Sequence, residues 1–386
     1  MTGSSGRRYD LDALRVIAVL LLIPFHSARV FDTFDTFYVK SPQTSRGLSW
    51  AVVAFLDPWH MPLLFVLAGA ATWLALGHRS PGAYRAERFK RLLIPFLFGL
   101  VVLVPPQAYL AQRFRGGHAS IGAFLADYWT VEGDLSGYTG SFTPAHLWFI
   151  GFLFVFSLLA LPLFTRWRRR PVRAAWLLFA MPLVLLLANE LPAPNDGTQN
   201  PFYSLSLFVA GFLLLADDRA ERLVHRHWRS LLGAAILTMT SMMLIWSSGV
   251  EDRLADGSFP AIAGSVLEQV NTWVWVLAML GVGKAFLARS NGRVLRYSGE
   301  ASYPFYLLHQ TVIVAVAYVV VGWGLGVWSA FAAIVIASFA LTLGIYELVV
   351  RRTSATRLLF GMKPRRAERR VPVAVETAPV REPAMS

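Results

Sequence analysis

Cysteine is absent from the 386 residues, and charged residues are scarce. The absence of cysteine excludes disulfide bonds, thiolate metal sites and a cysteine nucleophile. Only 15% of the residues are charged, whereas 55% are hydrophobic and the mean hydropathy is +0.50. The sequence also lacks an internal repeat, a glycine-rich phosphate loop and a cluster of metal ligands. This composition is typical of a membrane protein with several spans rather than of a soluble domain.

Apolar segments recur along the chain, and a helix of about 20 residues is needed to cross the hydrocarbon core of a bilayer. The segments are 11–31, 50–76, 92–111, 145–165, 173–190, 201–217, 230–248, 262–288, 302–322 and 325–350. They predict an all-α polytopic membrane protein with about ten transmembrane helices, in which residues 1–362 form the membrane domain. Arg7 and Arg8 precede the first segment as in a signal peptide. That segment is long and has no small-residue cleavage site behind it, so we interpret it as a retained helix.

The net charge of +13 comes from basic residues that lie mostly in short loops between the apolar segments. If the N-terminus is cytoplasmic, 29 of the 36 lysine and arginine residues lie on the cytoplasmic side and six lie outside. This asymmetry is the positive-inside pattern of membrane proteins. It predicts that both termini are cytoplasmic and that the protein is a multi-pass protein of the plasma (inner) membrane. It also explains the charge without a nucleic-acid partner.

Two polar stretches lie outside the predicted spans. The longest outer loop, 112–144, combines glycine, aromatic and acidic residues. It could form an ordered lid over a site or a plain connecting loop. Residues 363–386 are basic and then rich in proline, alanine, valine and glutamate, with no period. We therefore predict that they form a disordered cytoplasmic tail.

The first apolar segment carries two ionisable side chains, Arg15 and His26. An arginine at the centre of a transmembrane helix costs roughly 2.5–3.5 kcal/mol on insertion scales, so such residues usually face a polar interior. Eleven helical residues turn through about 1100°, which brings Arg15 and His26 to one face, about 16 Å apart along the axis. One residue then lies near the cytoplasmic surface and the other deep in the membrane. This arrangement suits an extended substrate that is anionic at one end and reactive at the other.

Three further histidines fall within or beside apolar segments. Their distances from the segment ends place His60 in the outer half of the membrane, near the level of His26. His309 lies near mid-depth, and His146 begins a helix at the outer surface. Together with His26 they form a predicted histidine layer. Each of the three could instead be a helix-to-helix hydrogen-bond partner, with no part in a site.

A basic layer is predicted at the cytoplasmic mouth. Arg88, Lys90 and Arg91 stand at the foot of the third span, near the level of Arg15. Arginine side chains bind phosphates through bidentate hydrogen bonds, which makes this layer a candidate anion site. The same residues could simply set the topology and extend to lipid headgroups, an alternative that we favour for Lys90.

Three aromatic residues accompany these two layers: Trp148, Tyr303 and Tyr306. They could support a binding site. They could equally pack between helices or anchor the protein at the membrane interface, which is the commoner role of such residues. We therefore treat them as possible site support.

Four stretches of the chain together resemble one family. They are Arg15 and His26 at R-x10-H spacing, Arg88-x-x-Arg91 followed by Pro95, HLWF at His146–Phe149, and SYPFYLLHQ at Ser302–Gln310. In this order, over residues 10–350, they are similar to the membrane acyltransferase type 3 family. The runs HMPLLFVLAG, HLWFI and YLLHQ resemble in particular the branch related to the glucan biosynthesis protein C succinyltransferases.

The resemblance implies a ten-helix membrane enzyme that takes an acyl group from cytoplasmic acyl-CoA. The acyl group, acetyl, succinyl or similar, passes to a hydroxyl of an acceptor, often a carbohydrate or glycoconjugate of the cell envelope at the outer face. Acyl-CoA is then a donor substrate, and no permanently bound cofactor or metal is implied. Some members carry an additional SGNH hydrolase-like domain, which these 386 residues do not contain.

The residues agree with this chemistry. The arginines of the basic layer could hold the phosphates of CoA, and neutral His26 could remove the proton from the acceptor hydroxyl. His60 or His309 could donate the hydrogen bond that stabilises the thioester oxyanion. Besides donor and acceptor, the expected partners are membrane lipids.

Two other classes of function also fit buried arginine and histidine. One is a transporter or flippase of an anionic small molecule or envelope precursor. We expect neither the repeated halves nor the broken-helix pair that many transporters show. The other is a scaffold in an envelope-polymer assembly, in which the polar residues are purely structural.

Overall fold

The computed structural model describes residues 7–130, 137–193, 195, 197–250 and 253–364. Over these residues the regular structure is helical, with no strand. The predicted tail, 363–386, lies outside the described residues apart from its first two. We call the end of the bundle that the charge distribution predicts to be cytoplasmic the inner face, and the opposite end the outer face.

The helices are numbered here in chain order. They are α1 Tyr9–Arg29, α2 Arg46–Leu76, α3 Pro81–Phe114, α4 Ile121–Asp127, α5 Ala145–Leu159, α6 Leu161–Trp167, α7 Leu177–Asn189, α8 Pro201–Ala216, α9 Asp218–Arg226, α10 Trp228–Ser248, α11 Phe259–Leu287, α12 Arg293–Trp323, α13 Val327–Val350 and α14 Ser354–Leu359. Helix α2 includes a π-helical stretch, Ser49–Ala54, and α3 includes two, Phe89–Leu93 and Gly99–Leu103.

Seven of the described helices are long and apolar enough to cross a membrane, and nine if each bent pair counts as one span. The predicted segment 173–190 appears as the shorter apolar helix α7. These findings confirm the prediction of an all-α polytopic membrane protein. The location of the termini remains a prediction.

Two helix pairs are bent. The axis turns by 55° between α5 and α6 and by 94° between α8 and α9. The first bend lies inside the predicted segment 145–165, where no broken helix was expected, whereas the second lies at the end of the predicted segment 201–217. A proline at position 162 accompanies the first bend, and Asp217 separates the helices of the second. Proline cannot donate the hydrogen bond that would continue the helix across the first break.

Side-chain caps mark where several helices begin. Ser80 accepts a hydrogen bond from the backbone of Ala83 before α3, and Asn200 accepts one from Phe202 before α8. Proline follows each cap at the first helical position. The caps satisfy free amide groups of the first turn, and proline at that position loses no helical hydrogen bond.

Close helix packing positions the interior of the bundle. Helix α1 packs along α12, and α2 packs along α8. A β-carbon at Gly69 would lie 1.9 Å from the carbonyl oxygen of Phe208, and one at Gly211 would lie 2.0 Å from that of Val66. Glycines at such crossings let transmembrane helices approach closely.

The outer loop 112–144 is partly described. It contains α4, and Phe124 and Tyr128 are buried beside Ala108 of α3. Residues 131–136 lie outside the described residues. The described part packs against α3, and its role as a lid stays a prediction.

Candidate active site

Three histidines from different parts of the chain meet in one group, which we call the histidine cluster: His26 of α1, His146 of α5 and His309 of α12. The ring centroid of His309 lies 5.2 Å from that of His26 and 4.9 Å from that of His146. His146 and His309 are buried, and His26 is half-buried. The structure thus brings together three members of the predicted histidine layer.

Backbone carbonyl groups fix the tautomers of two of these rings. Nδ1 of His309 lies 2.6 Å from the carbonyl oxygen of Tyr306, and Nε2 of His146 lies 3.1 Å from that of Leu307. A carbonyl oxygen only accepts hydrogen bonds, so the nitrogen that faces it carries the proton. In the neutral ring the other nitrogen is then an acceptor, Nε2 in His309 and Nδ1 in His146.

Both acceptor nitrogens lack partners, and so does one nitrogen of His26, whose tautomer no described carbonyl group fixes. Nε2 of His309, Nδ1 of His146 and Nδ1 of His26 are buried and make no hydrogen bond to a described residue. In the part of the chain that the structure describes, no group of three or more histidine and acidic side chains is arranged to hold a metal ion. Buried polar atoms nearly always have a partner. The cluster is therefore a place where a proton-donating group of a substrate or water can complete the hydrogen bonds.

His60 makes a different contact. Its side chain is only 2% exposed, and its Nε2 lies 2.6 Å from the carbonyl oxygen of Ala18 in α1. Its ring stacks on Phe25 with centroids 6.4 Å apart. The hydrogen bond connects α2 to α1, which is the helix-to-helix role considered for a lone membrane histidine.

Helix α12 also holds the start of α5 in place. The hydroxyl of Tyr306 donates a hydrogen bond to the carbonyl oxygen of His146, while the ring of His146 donates to Leu307. Two hydrogen bonds therefore fix both the backbone and the side chain of His146 against α12. Tyr306 therefore holds His146 in its place in the histidine cluster.

The loop after α1 covers the outer side of the cluster. The buried ring of Phe37 stacks on His26, with centroids 6.1 Å apart and planes inclined by 18°. Arg29 pairs with Asp32 at 3.1 Å, and Lys40 also binds Asp32. Sequence analysis did not identify this cover. The opposite charges of Arg29, Asp32 and Lys40 were its only signal.

A second group lies at the inner end of α1 and consists of Arg15, Arg88 and Arg91, which we call the arginine cluster. Arg15 is close enough to Arg88 and Arg91 for their charges to act on it. Arg15 pairs with Asp12 at 3.7 Å, and Arg91 pairs with Glu87 at 3.2 Å. The structure therefore brings together the three arginines that were predicted to bind the donor.

Positive charge exceeds negative charge around the arginine cluster. Asp12 also pairs with Arg7 at 2.7 Å, and Glu87 with Arg79 at 3.0 Å, so each carboxylate serves two guanidinium groups. Arg88 makes no ion pair within the described ranges, and its Nε is buried without a hydrogen-bond partner. This excess of cations suits an anion with several oxygen atoms, such as a phosphate.

Three remaining predicted residues take different places. Lys90 is exposed, which agrees with a topological role. The ring of Trp148 packs against Phe65 and Phe152, with centroids 6.0 and 5.4 Å apart. Tyr303 of α12 lies close enough to interact electrostatically with Arg88 and Arg91 of the arginine cluster. Tyr303 alone of these three therefore adjoins one of the two clusters.

Helix α1 joins the two clusters. His26 faces His309 of α12, and Arg15 lies within electrostatic range of Arg88, as does Tyr303 of α12. The two α1 residues are about 16 Å apart along the helix axis. The site is thus a pair of polar clusters, one cationic at the inner face and one made of imidazoles deeper in the bundle.

This arrangement defines an integral membrane protein with a polar site inside a bundle of apolar helices. The family model described as "Acyltransferase domain" matches residues 8–347, nearly the whole chain. The chain therefore belongs to this family, the membrane acyltransferase type 3 family, which confirms the membership predicted from the sequence motifs.

Several curated relatives share one name. Glucans biosynthesis protein C of Escherichia coli strain SMS-3-5 is 30% identical over 164 residues, which are 42% of this chain and 40% of that protein. The protein of that name from strain K12 is 29% identical over 164 residues, with the same coverage. The alignment thus spans 40% of the length of these relatives. No solved structure matches the chain.

Proposed function

We propose that this protein is an O-acyltransferase of the plasma (inner) membrane that uses cytoplasmic acyl-CoA. The acceptor is a hydroxyl of a carbohydrate or glycoconjugate at the extracytoplasmic side. The main support is that α1 carries Arg15 in a cationic cluster and His26 in a cluster of imidazoles that each have one buried nitrogen without a partner. Family membership supports acyl transfer, and the name of the relatives, Glucans biosynthesis protein C, favours a carbohydrate acceptor.

The arginine cluster is the proposed donor site. The phosphates of CoA carry several negative charges, and Arg15, Arg88 and Arg91 offer planar guanidinium groups in excess of the nearby carboxylates. Such groups bind phosphate through paired hydrogen bonds. The extended pantetheine arm is of a length comparable to the distance between the clusters, so the thioester can reach His26.

The histidine cluster is the proposed reaction centre. Neutral His26 takes the proton of the acceptor hydroxyl while the hydroxyl oxygen bonds to the thioester carbonyl carbon. The carbon–sulfur bond then breaks, the ester forms, and the CoA thiolate takes the proton back from the imidazolium. A positioned general base typically contributes about 10²–10⁴-fold to the rate.

The neighbouring histidines have different chemical capacities. Neutral His309 carries its proton on Nδ1, which donates to Tyr306, so its Nε2 can only accept. Neutral His309 can therefore accept a hydrogen bond from a hydroxyl group or from His26 and so orient it. Only protonated His309 could donate a hydrogen bond to an oxyanion. His60 already donates to Ala18. We accordingly assign the acid–base step to His26 and positioning to His309 and His60.

Donor binding is the experiment that tests the proposal. Acetyl-CoA, succinyl-CoA and desulfo-CoA are titrated into the detergent-purified protein by calorimetry, for the wild type, Arg15→Ala and Lys90→Ala. A hydrogen bond to a charged group contributes about 1.5–3 kcal/mol, so we expect Arg15→Ala to raise the Kd roughly 10- to 100-fold. Lys90 is exposed and serves as the matched control, with a Kd within about twofold of the wild type.

Two outcomes would contradict the proposal. One is the absence of saturable binding by wild-type protein that is demonstrably folded. The other is an equal loss of affinity in Arg15→Ala and Lys90→Ala, since that pattern indicates general electrostatic attraction rather than a site. The ranking of the three ligands also identifies the acyl group that the site prefers.

A further inference from the structure

The inner half of α12 carries a hydroxyl group without a partner. Oη of Tyr303 is buried and makes no hydrogen bond to any residue in the described ranges. Arg88 and Arg91 act electrostatically on this side chain, and Nε of Arg88 is itself buried and unpartnered. Leaving a buried donor unsatisfied is unfavourable, so natural proteins rarely do so without a functional reason. The guanidinium group of Arg88 stacks on the ring of Tyr84, with 4.4 Å between its central carbon and the ring centroid, which leaves Nε without an acceptor. A buried hydroxyl without an acceptor, within electrostatic range of two arginines, is suited to bind an anion.

The chain after α13 passes directly against Tyr303. Gly361 has a φ angle of +64°, in the left-handed region that favours glycine. A β-carbon at this position would lie 2.5 Å from Cε1 of Tyr303 and 2.9 Å from the carbonyl oxygen of Arg91. The main chain at Gly361 therefore touches both the tyrosine ring and the backbone of the arginine cluster.

This C-terminal segment, Thr353–Met362, is fixed to the bundle. Arg357 of α14 pairs with Glu300 at 2.7 Å, one turn before Tyr303 on α12, and also donates to the carbonyl oxygen of Lys363 at 2.7 Å. The ring of Phe360 packs edge-to-face against Phe98 of α3, with centroids 5.4 Å apart. The segment therefore joins the inner ends of α3 and α12, the two helices that carry Arg88, Arg91 and Tyr303.

We propose that the hydroxyl of Tyr303 donates a hydrogen bond to a phosphate of the bound acyl-CoA, and that the C-terminal segment positions Tyr303 for this contact. The tyrosine is thus a donor-binding residue beside the arginine cluster, and Gly361 is a positioning residue. This inference rests on the proposed acyl-CoA site. It adds Tyr303 and the C-terminal segment to that site, beside the arginine cluster.

The test compares four variants in the purified full-length protein. Tyr303→Phe removes only the hydroxyl, and Tyr346→Phe is its control because the hydroxyl of Tyr346 is also buried and unpartnered. Gly361→Ala introduces the β-carbon against Tyr303 and Arg91. Gly324→Ala is its control, since Gly324 has a φ angle of +67° but nothing within 4 Å of a β-carbon. The Kd for acetyl-CoA and the Tm of the ligand-free protein are measured for each.

We expect Tyr303→Phe to raise the Kd roughly tenfold or more, the size typical of a hydrogen bond to a charged group. Its ligand-free Tm should equal or exceed that of the wild type, because the deleted hydroxyl has no partner in the free protein. Tyr346→Phe should leave the Kd within twofold. Gly361→Ala should raise the Kd more than Gly324→Ala does, since both variants share the same backbone strain.

Several results would overturn the inference. If the acetyl-CoA Kd of Tyr303→Phe stays within twofold of the wild-type value, the hydroxyl makes no phosphate contact. If the Tm of ligand-free Tyr303→Phe is clearly lower than that of the wild type, the hydroxyl stabilises the fold instead. Equal Kd values for Gly361→Ala and Gly324→Ala remove the positioning role. If Arg15→Ala abolishes binding while Tyr303→Phe does not change it, this inference fails and the proposed function stands. If the folded wild type binds no acetyl-CoA, both fail together.

Discussion

The unpartnered Nε2 of His309 and the unpartnered Nδ1 of His26 belong to rings whose centroids lie 5.2 Å apart. The two rings sit on helices α12 and α1, which pack side by side. Burying polar atoms without hydrogen bonds destabilises a protein unless another group completes them. This pair of imidazoles therefore offers two buried nitrogen atoms to which a substrate or water can hydrogen-bond.

The first prediction separates chemistry from binding. His26→Ala removes the proposed base but leaves the arginine cluster, about 16 Å away along α1, unchanged. We expect acyl transfer from labelled acyl-CoA to membrane carbohydrate to fall by about 10²–10⁴-fold, the usual contribution of a general base. The acetyl-CoA Kd should stay within about twofold of the wild type, because no charge–phosphate contact is lost.

The exposed His78, at the inner end of α2, provides the control for that experiment. His78→Ala should retain both transfer and donor binding. Full transfer activity in His26→Ala would remove the base role. A joint loss of transfer and donor binding would instead indicate that His26 supports the structure of the donor site.

The positions of the transmembrane helices could be predicted from the sequence because membrane insertion imposes length and apolarity on each segment. All ten predicted apolar segments coincide with described helices. The bends could not be predicted in the same way. The 94° turn at Asp217 depends on hydrogen bonds from residues 174 and 175, which are distant in sequence.

The candidate site could be predicted only in part. Arg15 and His26 stand out because ionisable residues in an apolar segment are costly. The contact between His26 and His309 and the contact of Gly361 with Tyr303 join residues that are far apart in sequence, so no periodicity reveals them. The only signal for the second contact was a glycine two residues after a short helix near the end of the described chain.

The second prediction concerns His60, whose hydrogen bond to Ala18 connects α2 to α1. An interhelical hydrogen bond in a membrane protein contributes about 0.6 kcal/mol on average, and removal of a buried ring adds a cavity. We expect His60→Ala to lower the free energy of unfolding by about 1–3 kcal/mol. Thermal unfolding in detergent measures this as a lower Tm.

His60→Gln is the informative partner variant, because its amide can donate to the same carbonyl group. It should recover part of the lost Tm. Activity per folded molecule should remain measurable in both variants, in contrast to His26→Ala. Unchanged stability together with abolished transfer would move His60 from the structural group to the reaction centre.

The third prediction concerns the crossing of α2 and α8. An alanine at Gly69 would place its β-carbon 1.9 Å from the carbonyl oxygen of Phe208 and 2.8 Å from the amide nitrogen of Phe212. These are backbone atoms, so the helices themselves must move apart. Overpacking of this kind costs about 1–3 kcal/mol or more, and we expect Gly69→Ala to lower the Tm by several degrees.

Gly344 of α13 is the matched control, because nothing lies within 4 Å of a β-carbon at that position. Alanine is favoured over glycine in a helix by about 0.5–1 kcal/mol, so Gly344→Ala should leave the Tm unchanged or raise it. The two substitutions are chemically identical and should act in opposite directions. A Tm for Gly69→Ala at or above that of the wild type would show that the two helices do not pack as closely as described.

The last prediction concerns the pH dependence of stability at the turn between α8 and α9. The carboxylate of Asp217 accepts hydrogen bonds from the backbone amides of Ala174 at 2.7 Å, Ala175 at 3.0 Å and Arg219 at 2.9 Å. Burial alone would raise the pKa of Asp217, but these amide donors outweigh it and lower the pKa below its ordinary value. The ionised form is therefore bound more favourably in the folded protein.

The sign of the pH effect follows from that lowered pKa. Stabilisation by Asp217 is complete above the unfolded pKa of about 3.9 and is lost as the pH falls through the lower folded value. Asp217→Asn should lower the free energy of unfolding by about 1–3 kcal/mol at pH 7, and the difference should shrink below about pH 4. Asp218→Asn changes an exposed neighbour and should have little effect at either pH. A difference between Asp217→Asn and the wild type that stays constant from pH 7 to pH 3 would mean that the ionised carboxylate does not hold this turn.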